Sequence, residues 1–286
     1  MTATQTEGCM DTNDNGPEQQ HAREAAFHNA LAHSLDADFA FEPAFTAPTA
    51  MENRFIVSDM GDLRGKRVLD LGCGSGDAAL YFASRGAESC CCDISQGMTD
   101  LVRKRAGMNN LTLHAETCGA ESLSFPDNHF DYVYAHGVLH HVADRQLAYR
   151  DIRRVLKPGG AVYAVEPLKG NPAIWIYRLM ATKMRSDDEA PLSVGEVKNL
   201  ARHFTDCRAQ SFWLMTQSLF IKYYLVDRVH PNDSPYWKMI FAETDASLRW
   251  WKPLQAIDKV LTRLPLLRRW AYTMVLSGRK PSDGGQ

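Results

Sequence analysis

From Lys66 to Pro167 the chain alternates short apolar runs with stretches whose apolar residues recur at helical spacing. Arg67–Leu71 (RVLDL) predicts a strand, and a helix is expected from about Asp77 to Ser84. Further strands are predicted at Glu88–Asp93, Leu111–Glu116, Asp131–Ala135 and Ala161–Glu166, each but the last followed by loop or helix signals. Strands that alternate with helices in this way form a parallel sheet with helices on both faces, because each crossover must return over the sheet in the same sense. Ligands of doubly wound sheets sit at the carboxyl ends of the strands, so the residues after each strand are the ones to inspect.

The flanks follow other rules. Residues 1–20 are rich in Thr, Asn, Gln and Gly without apolar periodicity, which predicts a disordered lead. Residues 21–65 read as an amino-terminal helical flap, with Ala26, Phe27, Ala30, Leu31 and Leu35 near helical spacing, before Phe and Pro residues end the pattern. Beyond the core of residues 66–167, the segment 168–286 is crowded with aromatic residues. Two more strands are predicted there, near Gln210–Thr216 and Ala271–Ser277. The residues between them are mostly helical, as in Leu254, Ile257, Val260, Leu261 and Leu264, and an insertion that long reads as a substrate lid.

Composition narrows the function. A chain of 286 residues with 45% hydrophobic and 23% charged residues can bury a core without disulfides or metal. Neither a spanning apolar run nor an export signal is visible, so a cytoplasmic protein without membrane insertion is expected. A formal net charge of -2, spread along the chain, leaves no footprint for nucleic acid. Cys90, Cys91 and Cys92 are consecutive, a spacing that suits neither a disulfide framework nor a zinc set, and they read as small apolar groups in a buried strand.

The candidate chemistry begins at Asp70-Leu-Gly72-Cys73-Gly74-Ser-Gly76-Asp77, which turns a strand into a helix and lets backbone approach a nucleotide. A dinucleotide would place its pyrophosphate on that helix, where Asp70 and Asp77 oppose an anion; a sulfonium cofactor bearing an ammonium is favoured instead. Asp93 ends the second strand 21 positions after Gly72, where a carboxylate can accept ribose hydroxyls. His136, His140 and His141 follow the fourth strand without a companion carboxylate motif, so no metal is expected. His140 or His141 is the preferred base for an oxygen or nitrogen acceptor, with Glu166 second. Two rivals stand beside this reading, an NAD(P)-dependent oxidoreductase, which would want Gly or Ala in place of Asp77, and a catalytically silent scaffold.

The segments VLDLGCGSGD, CCDISQGM, GAESLSFPDNHFDYVY, HGVLHHV and RRVLKPGG, in this order from Arg67 to about Pro172, resemble class I S-adenosylmethionine-dependent methyltransferases of the ubiquinone/menaquinone and small-molecule branch. The resemblance implies an α/β, Rossmann-like doubly wound sheet of about seven strands, the last antiparallel. It implies that Gly72, Cys73 and Gly74 line the methionine part of the cofactor and Asp93 holds the ribose. Ile94 and Met98 would pack on adenine, Gly119, Ala120 and Glu121 would border its edge, and His136 would face the methionine side. Where such proteins often carry Asp before Ala-Glu, this chain has Gly119, leaving backbone groups for the adenine amino group. The expected reaction is O-, N- or C-methylation of a small lipophilic molecule, a secondary metabolite, with S-adenosylhomocysteine as product. An alkene acceptor would pass through a carbocation that aromatic faces can stabilise. Trp175, Phe212 and Tyr223 are the expected pocket walls, with a core or homo-oligomer interface as the alternative use of those rings.

Overall fold

In the computed structural model, residues 16–282 are described except 36, 183–188, 235 and 244, so residues 1–15 of the expected disordered lead lie outside the described part. The flap comprises α1 (Pro17–Ser34), α2 (Pro43–Thr46) and α3 (Met51–Met60). Helix α1 starts at Pro17, inside the expected disordered lead and four positions before the flap predicted from residue 21, because a proline at the first helical turn costs no hydrogen bond. The core follows as β1 (Arg67–Leu71), α4 (Asp77–Ser84), β2 (Glu88–Asp93), α5 (Gln96–Met108), β3 (His114–Thr117), β4 (Phe130–His136), α6 (Arg145–Val155) and β5 (Leu156–Pro167). The last third contributes α7 (Pro172–Met180), α8 (Val197–Leu200), β6 (Thr205–Phe212), α9 (Ser218–Leu225), α10 (Tyr236–Met239), α11 (Asp245–Leu261) and β7 (Thr273–Arg279).

The strands form one seven-stranded sheet in the order β3-β2-β1-β4-β5-β7-β6. β1 to β5 pair in parallel, and β7 runs antiparallel between β5 and β6. Alternation along the central strands feeds two apolar layers. Leu69, Leu71, Val133 and Ala135 join one, while Val68, Tyr134 and Tyr163 join the other. Strands buried on both faces read as near-continuous apolar runs, which is why β1 and β2 have the bounds their sequence predicts.

Elsewhere local geometry moves the bounds. β3 starts at His114 because Leu111 is spent closing α5, its N–H on the Ala106 carbonyl. The Lys157-Pro158-Gly159-Gly160 stretch, which reads as a turn, is an irregularity inside β5, where pairing jumps from Phe130–Leu156 to Tyr132–Ala161. β6 runs over Thr205–Phe212 instead of Gln210–Thr216, since Trp213 adopts a left-handed φ of 63° and ends the strand. The three consecutive cysteines are free and lie in β2, Cys91 and Cys92 buried.

Candidate active site

The β1–α4 turn is shaped by close approach. A Cβ on Gly72 would come within 2.3 Å of Val138, and one on Gly76 within 2.5 Å of Val102, so both positions are closed to larger residues by packing. Gly74, at φ 48°, is different: a Cβ there would meet nothing within 4 Å, because the turn faces a cavity of about 450 Å³. Asp70 reaches up from β1 and accepts the Ala79 N–H of α4 at 3.0 Å, thereby occupying a donor at the helix start that a phosphate would need. Burial pushes the Asp70 carboxyl up to about 8, despite that hydrogen bond. Asp77 is paired with the buried Arg105 guanidinium at 3.0 Å, which also donates to the Ser75 carbonyl. Asp77 is neutralised in place, and discrimination against a phosphate falls to Asp70.

Asp93 ties two segments together, accepting Gly74 N–H on Oδ2 and Ser95 N–H on Oδ1, each at 2.9 Å. Ionised carboxylate oxygens have capacity for further donors, so this group can hold a diol while bracing the glycine turn. Ile94, Met98, Gly119, Ala120 and Glu121 line the same cavity beside it. Helix α1 covers this end. Asn29 Oδ1 accepts the Gly97 N–H at 2.8 Å and the Ser95 hydroxyl at 2.7 Å, and His21 Nε2 lies 3.1 Å from Glu121 Oε1. Gly97 permits the contact, since a Cβ there would sit 3.1 Å from Asn29 Oδ1 and 3.2 Å from the Ala32 Cβ.

His136, His140, His141 and Glu166 also line the cavity, at the ends of β4 and β5. His136 ends β4 exposed to the cavity, and its Nδ1 is 3.0 Å from the Tyr134 hydroxyl. Glu166 accepts the N–H groups of Val138 (3.0 Å) and Leu139 (2.7 Å) on one oxygen and faces His140 Nδ1 at 2.7 Å with the other. Burial alone would raise Glu166; the neighbouring His140 imidazole and these backbone donors hold it below the ordinary carboxylate range. An ionised carboxylate accepts from Nδ1–H and leaves Nε2 of His140 to act on an acceptor, which makes Glu166 a holder of His140 and weakens the case for it as second-choice base.

Reasoning from sequence missed Glu24, His28, Arg178 and Glu189. Glu24 and His28, one helical turn apart on α1, bring a carboxylate to the histidines: Glu24 Oε2 is 3.2 Å from His141 Nδ1 and 3.6 Å from His28 Nε2. Burial lowers His28, but Glu24 and Asp93 together outweigh it and hold the imidazole above its ordinary value. Among the described residues, Glu24–His28–His141 and His140–His141–Glu189 each place three donor atoms within 4.8 Å of one another. Glu24 lies beside the two imidazoles and Glu189 faces the Arg178 guanidinium at 2.7 Å, so the carboxylate of each cluster already has a neighbour of its own. The only legible signal was the i, i+4 spacing of Glu24 and His28.

The three expected pocket aromatics fall elsewhere. Trp175 is 50% exposed and donates its indole N–H to the Lys169 carbonyl, because α7 turns Ile174, Tyr177, Arg178 and Ala181 inward and Trp175 a third of a turn away. Phe212 packs against Phe55, and its neighbour Trp213 takes the cavity wall, donating to Glu52 at 3.1 Å. Tyr223 is buried under the lid against Phe220 and Tyr236. Phe241 and Tyr272 complete the apolar wall that sequence reasoning assigned to those three.

The profile of a methyltransferase domain family matches residues 69–164. The ubiquinone/menaquinone biosynthesis C-methyltransferase UbiE of Cupriavidus necator is 35% identical over 115 residues, 39% of this chain and 47% of the relative. The UbiE of Azotobacter vinelandii is 33% identical over 165 residues, 55% of this chain and 64% of the relative. The chain thus spans about half to just under two thirds of the length of these relatives. Among solved structures, a putative methyltransferase of Haloferax volcanii in complex with the Trm112 methyltransferase activator superposes with a TM-score of 0.59 at 18% identity, covering 92% of this chain and 100% of that one. A phosphoethanolamine N-methyltransferase of Haemonchus contortus gives a TM-score of 0.57 at 18% identity over 82% of this chain and 53% of that one. Likeness at that identity is one of fold; the sequence match shows that residues 69–164, which hold the glycine turn, Asp70 and Asp93, are similar to a methyltransferase domain family.

Proposed function

We propose that this chain transfers a methyl group from S-adenosylmethionine to a small, largely apolar acceptor and releases S-adenosylhomocysteine. The observation that carries the reading is the composition of one cavity: the lining holds Asp70, Asp93 and Glu121 around the Gly74 turn, and continues into a wall of Phe27, Ile174, Tyr177, Trp213, Phe241 and Tyr272. An acid-rich end bounded by the bare Gly74 backbone suits a ligand carrying two positive groups, and an apolar end suits a hydrophobic partner. S-adenosylmethionine supplies an electrophilic methyl group on a sulfonium, which becomes neutral once the methyl has left.

The chain's own residues would align, exclude water and handle one proton. Gly72, Cys73 and Gly74 would bound the amino-acid portion, with His136 on the same side; Asp93 would accept ribose hydroxyls; Ile94 and Met98 would pack on the base, with Gly119, Ala120 and Glu121 along its edge. Helix α1 closes over this end and keeps water out. For an oxygen or nitrogen acceptor, His140 Nε2 takes the proton, or His141 beside it, whose ring centroid is 4.1 Å from that of His140. The curated relatives are by name quinone-biosynthesis C-methyltransferases, which favours an electron-rich carbon, and the faces of Tyr177, Trp213 and Tyr272 would stabilise the cation formed there. The acceptor class that fits is an isoprenoid or quinone-like secondary metabolite. We place the reaction in the cytoplasm, where free thiols such as Cys73 and Cys118 persist.

The test combines calorimetry with methyl-deuterated cofactor. S-adenosylhomocysteine should bind and NADH should not, and incubation with a lipophilic extract should place the labelled methyl in an organic-phase product. Binding of NADH alone would turn the reading to an oxidoreductase, and binding of neither to a silent scaffold.

A further inference from the structure

Helix α7 presents apolar residues on both sides. Its inner face lines the cavity, while Trp175, Ile176 and Leu179 point outward, Leu179 being 76% exposed. A helix apolar all round belongs in a core or against something other than water. The pattern repeats nearby. On α9, Ile221, Tyr224 and Leu225 follow i, i+3, i+4 spacing and are exposed; on α11 and just past it, Ile257, Val260 and Leu264 follow i, i+3, i+7. Leu266, 72% exposed, and Trp270 lie in the connection to β7.

These stripes belong to one region, because polar side chains pin their helices together. Asn171 caps α7 and donates at 2.7 Å both to Gln217, beside the start of α9, and to the Trp270 carbonyl. Asp258 of α11 accepts the N–H groups of Leu214, Met215 and Thr216, the residues that lead into α9, at 3.1, 2.7 and 3.1 Å. Gly170 lies so close to Arg269 that a Cβ would sit 2.4 Å from its carbonyl oxygen, which puts the Trp175 and Trp270 turns side by side. Scattered exposed apolar residues need no explanation, but exposed apolar stripes on three helices pinned to one another mark an interaction surface.

Charge decides what it meets. Within Asp245–Trp270 there are six basic residues, Arg249, Lys252, Lys259, Arg263, Arg268 and Arg269, and two acidic ones, of which Asp258 is buried, in a chain whose overall charge is -2. A twofold contact between copies would set these cations against one another. An anionic bilayer instead offers headgroups to the cations and acyl chains to the apolar side chains, with Trp and Tyr at the boundary between them.

We propose that the outer faces of α7, α9 and α11, with the connection through Trp270, dock on the surface of an anionic lipid bilayer without spanning it, consistent with the absence among the described residues of any helix long and apolar enough to cross one. The docked face is the far side of the helix that walls the acceptor end of the cavity, so a lipophilic acceptor dissolved in the bilayer would be brought within one helix diameter of the site. The docking inference rests on the surface itself and not on the identity of the reaction.

The test is flotation of the whole chain with phosphatidylcholine vesicles, with and without phosphatidylglycerol at about one part in three. Binding is expected to the anionic vesicles and to weaken with salt, and Arg263→Gln and Arg269→Gln should each lower the partition coefficient about fivefold. A Leu179→Glu, Leu225→Glu, Leu266→Glu triple variant should stay in the aqueous fraction while keeping its affinity for S-adenosylhomocysteine, a readout that separates lost docking from lost folding or a failed cofactor reading. No partition onto anionic vesicles, partition that the variants leave intact, or a concentration-dependent dimer that the triple variant disrupts in place of vesicle binding would overturn the proposal.

Discussion

At the scale of single residues the site rests on two carboxylates with different duties. Asp93 is tied to the Gly74 and Ser95 backbone, so Asp93→Ala removes the proposed acceptor of the ribose and also loosens the glycine turn. Its expected cost is about 1.5–3 kcal/mol in S-adenosylhomocysteine affinity, measured by calorimetry on a variant with unchanged circular dichroism; equal affinity would move the ribose elsewhere. Asp70 gives a pH signature. Its carboxyl, raised to about 8 by burial, carries a proton near pH 7 in the unliganded protein. A cationic ligand favours the ionised form and lowers that value, so binding releases a proton and tightens as pH rises through about 8. Asp70→Asn should flatten this dependence for S-adenosylmethionine, and a slope that survives the substitution would assign it to another group.

At the scale of elements, α1 behaves as a cover held by a short list of contacts. Asn29 receives two hydrogen bonds from the β2–α5 turn, and Gln20 donates to the His141 carbonyl at 2.8 Å. Asn29→Ala leaves those donors to water and is expected to weaken cofactor binding by about 1–3 kcal/mol, chiefly through faster release. Hydrogen exchange over Pro17–Ser34 should rise in the same variant while the sheet stays protected. An unchanged exchange pattern would show that apolar packing, not Asn29, holds α1. This element also carries Glu24 and His28 to the histidines after β4, a contact across more than a hundred positions that no local pattern announces.

Across the whole molecule, the apolar end of the cavity is assembled from parts that are remote in sequence: α1, the inner face of α7, and the stretch from Trp213 to Phe241. Tyr177, which lines this end and stacks toward Phe220 and Tyr236, is the side chain whose loss opens it most directly. Tyr177→Ala should raise the Michaelis constant for the acceptor about tenfold or more while leaving that for the cofactor within about twofold, as steady-state kinetics would report. Equal changes in both constants would place Tyr177 in the cofactor end or in the scaffold.

The sequence by itself determined the parallel half of the sheet, the bounds of β1, α4 and β2, and the glycine and aspartate positions that line the cavity at the strand ends, because those features follow from local rules: buried strands are apolar runs, tight turns need glycine, and strand ends are where ligands meet such a sheet. Only the tertiary structure decided which face of each later helix turns inward. Trp175, Phe212 and Tyr223 are as aromatic as Tyr177, Trp213 and Tyr272, and composition cannot separate them; one residue of rotation on α7 or the left-handed Trp213 at the end of β6 does. The same holds for charge. Asp77 reads as an open anion in the sequence, and Arg105, 28 positions away and folded beneath the turn, neutralises it, because a buried ion pair is a property of packing and not of spacing.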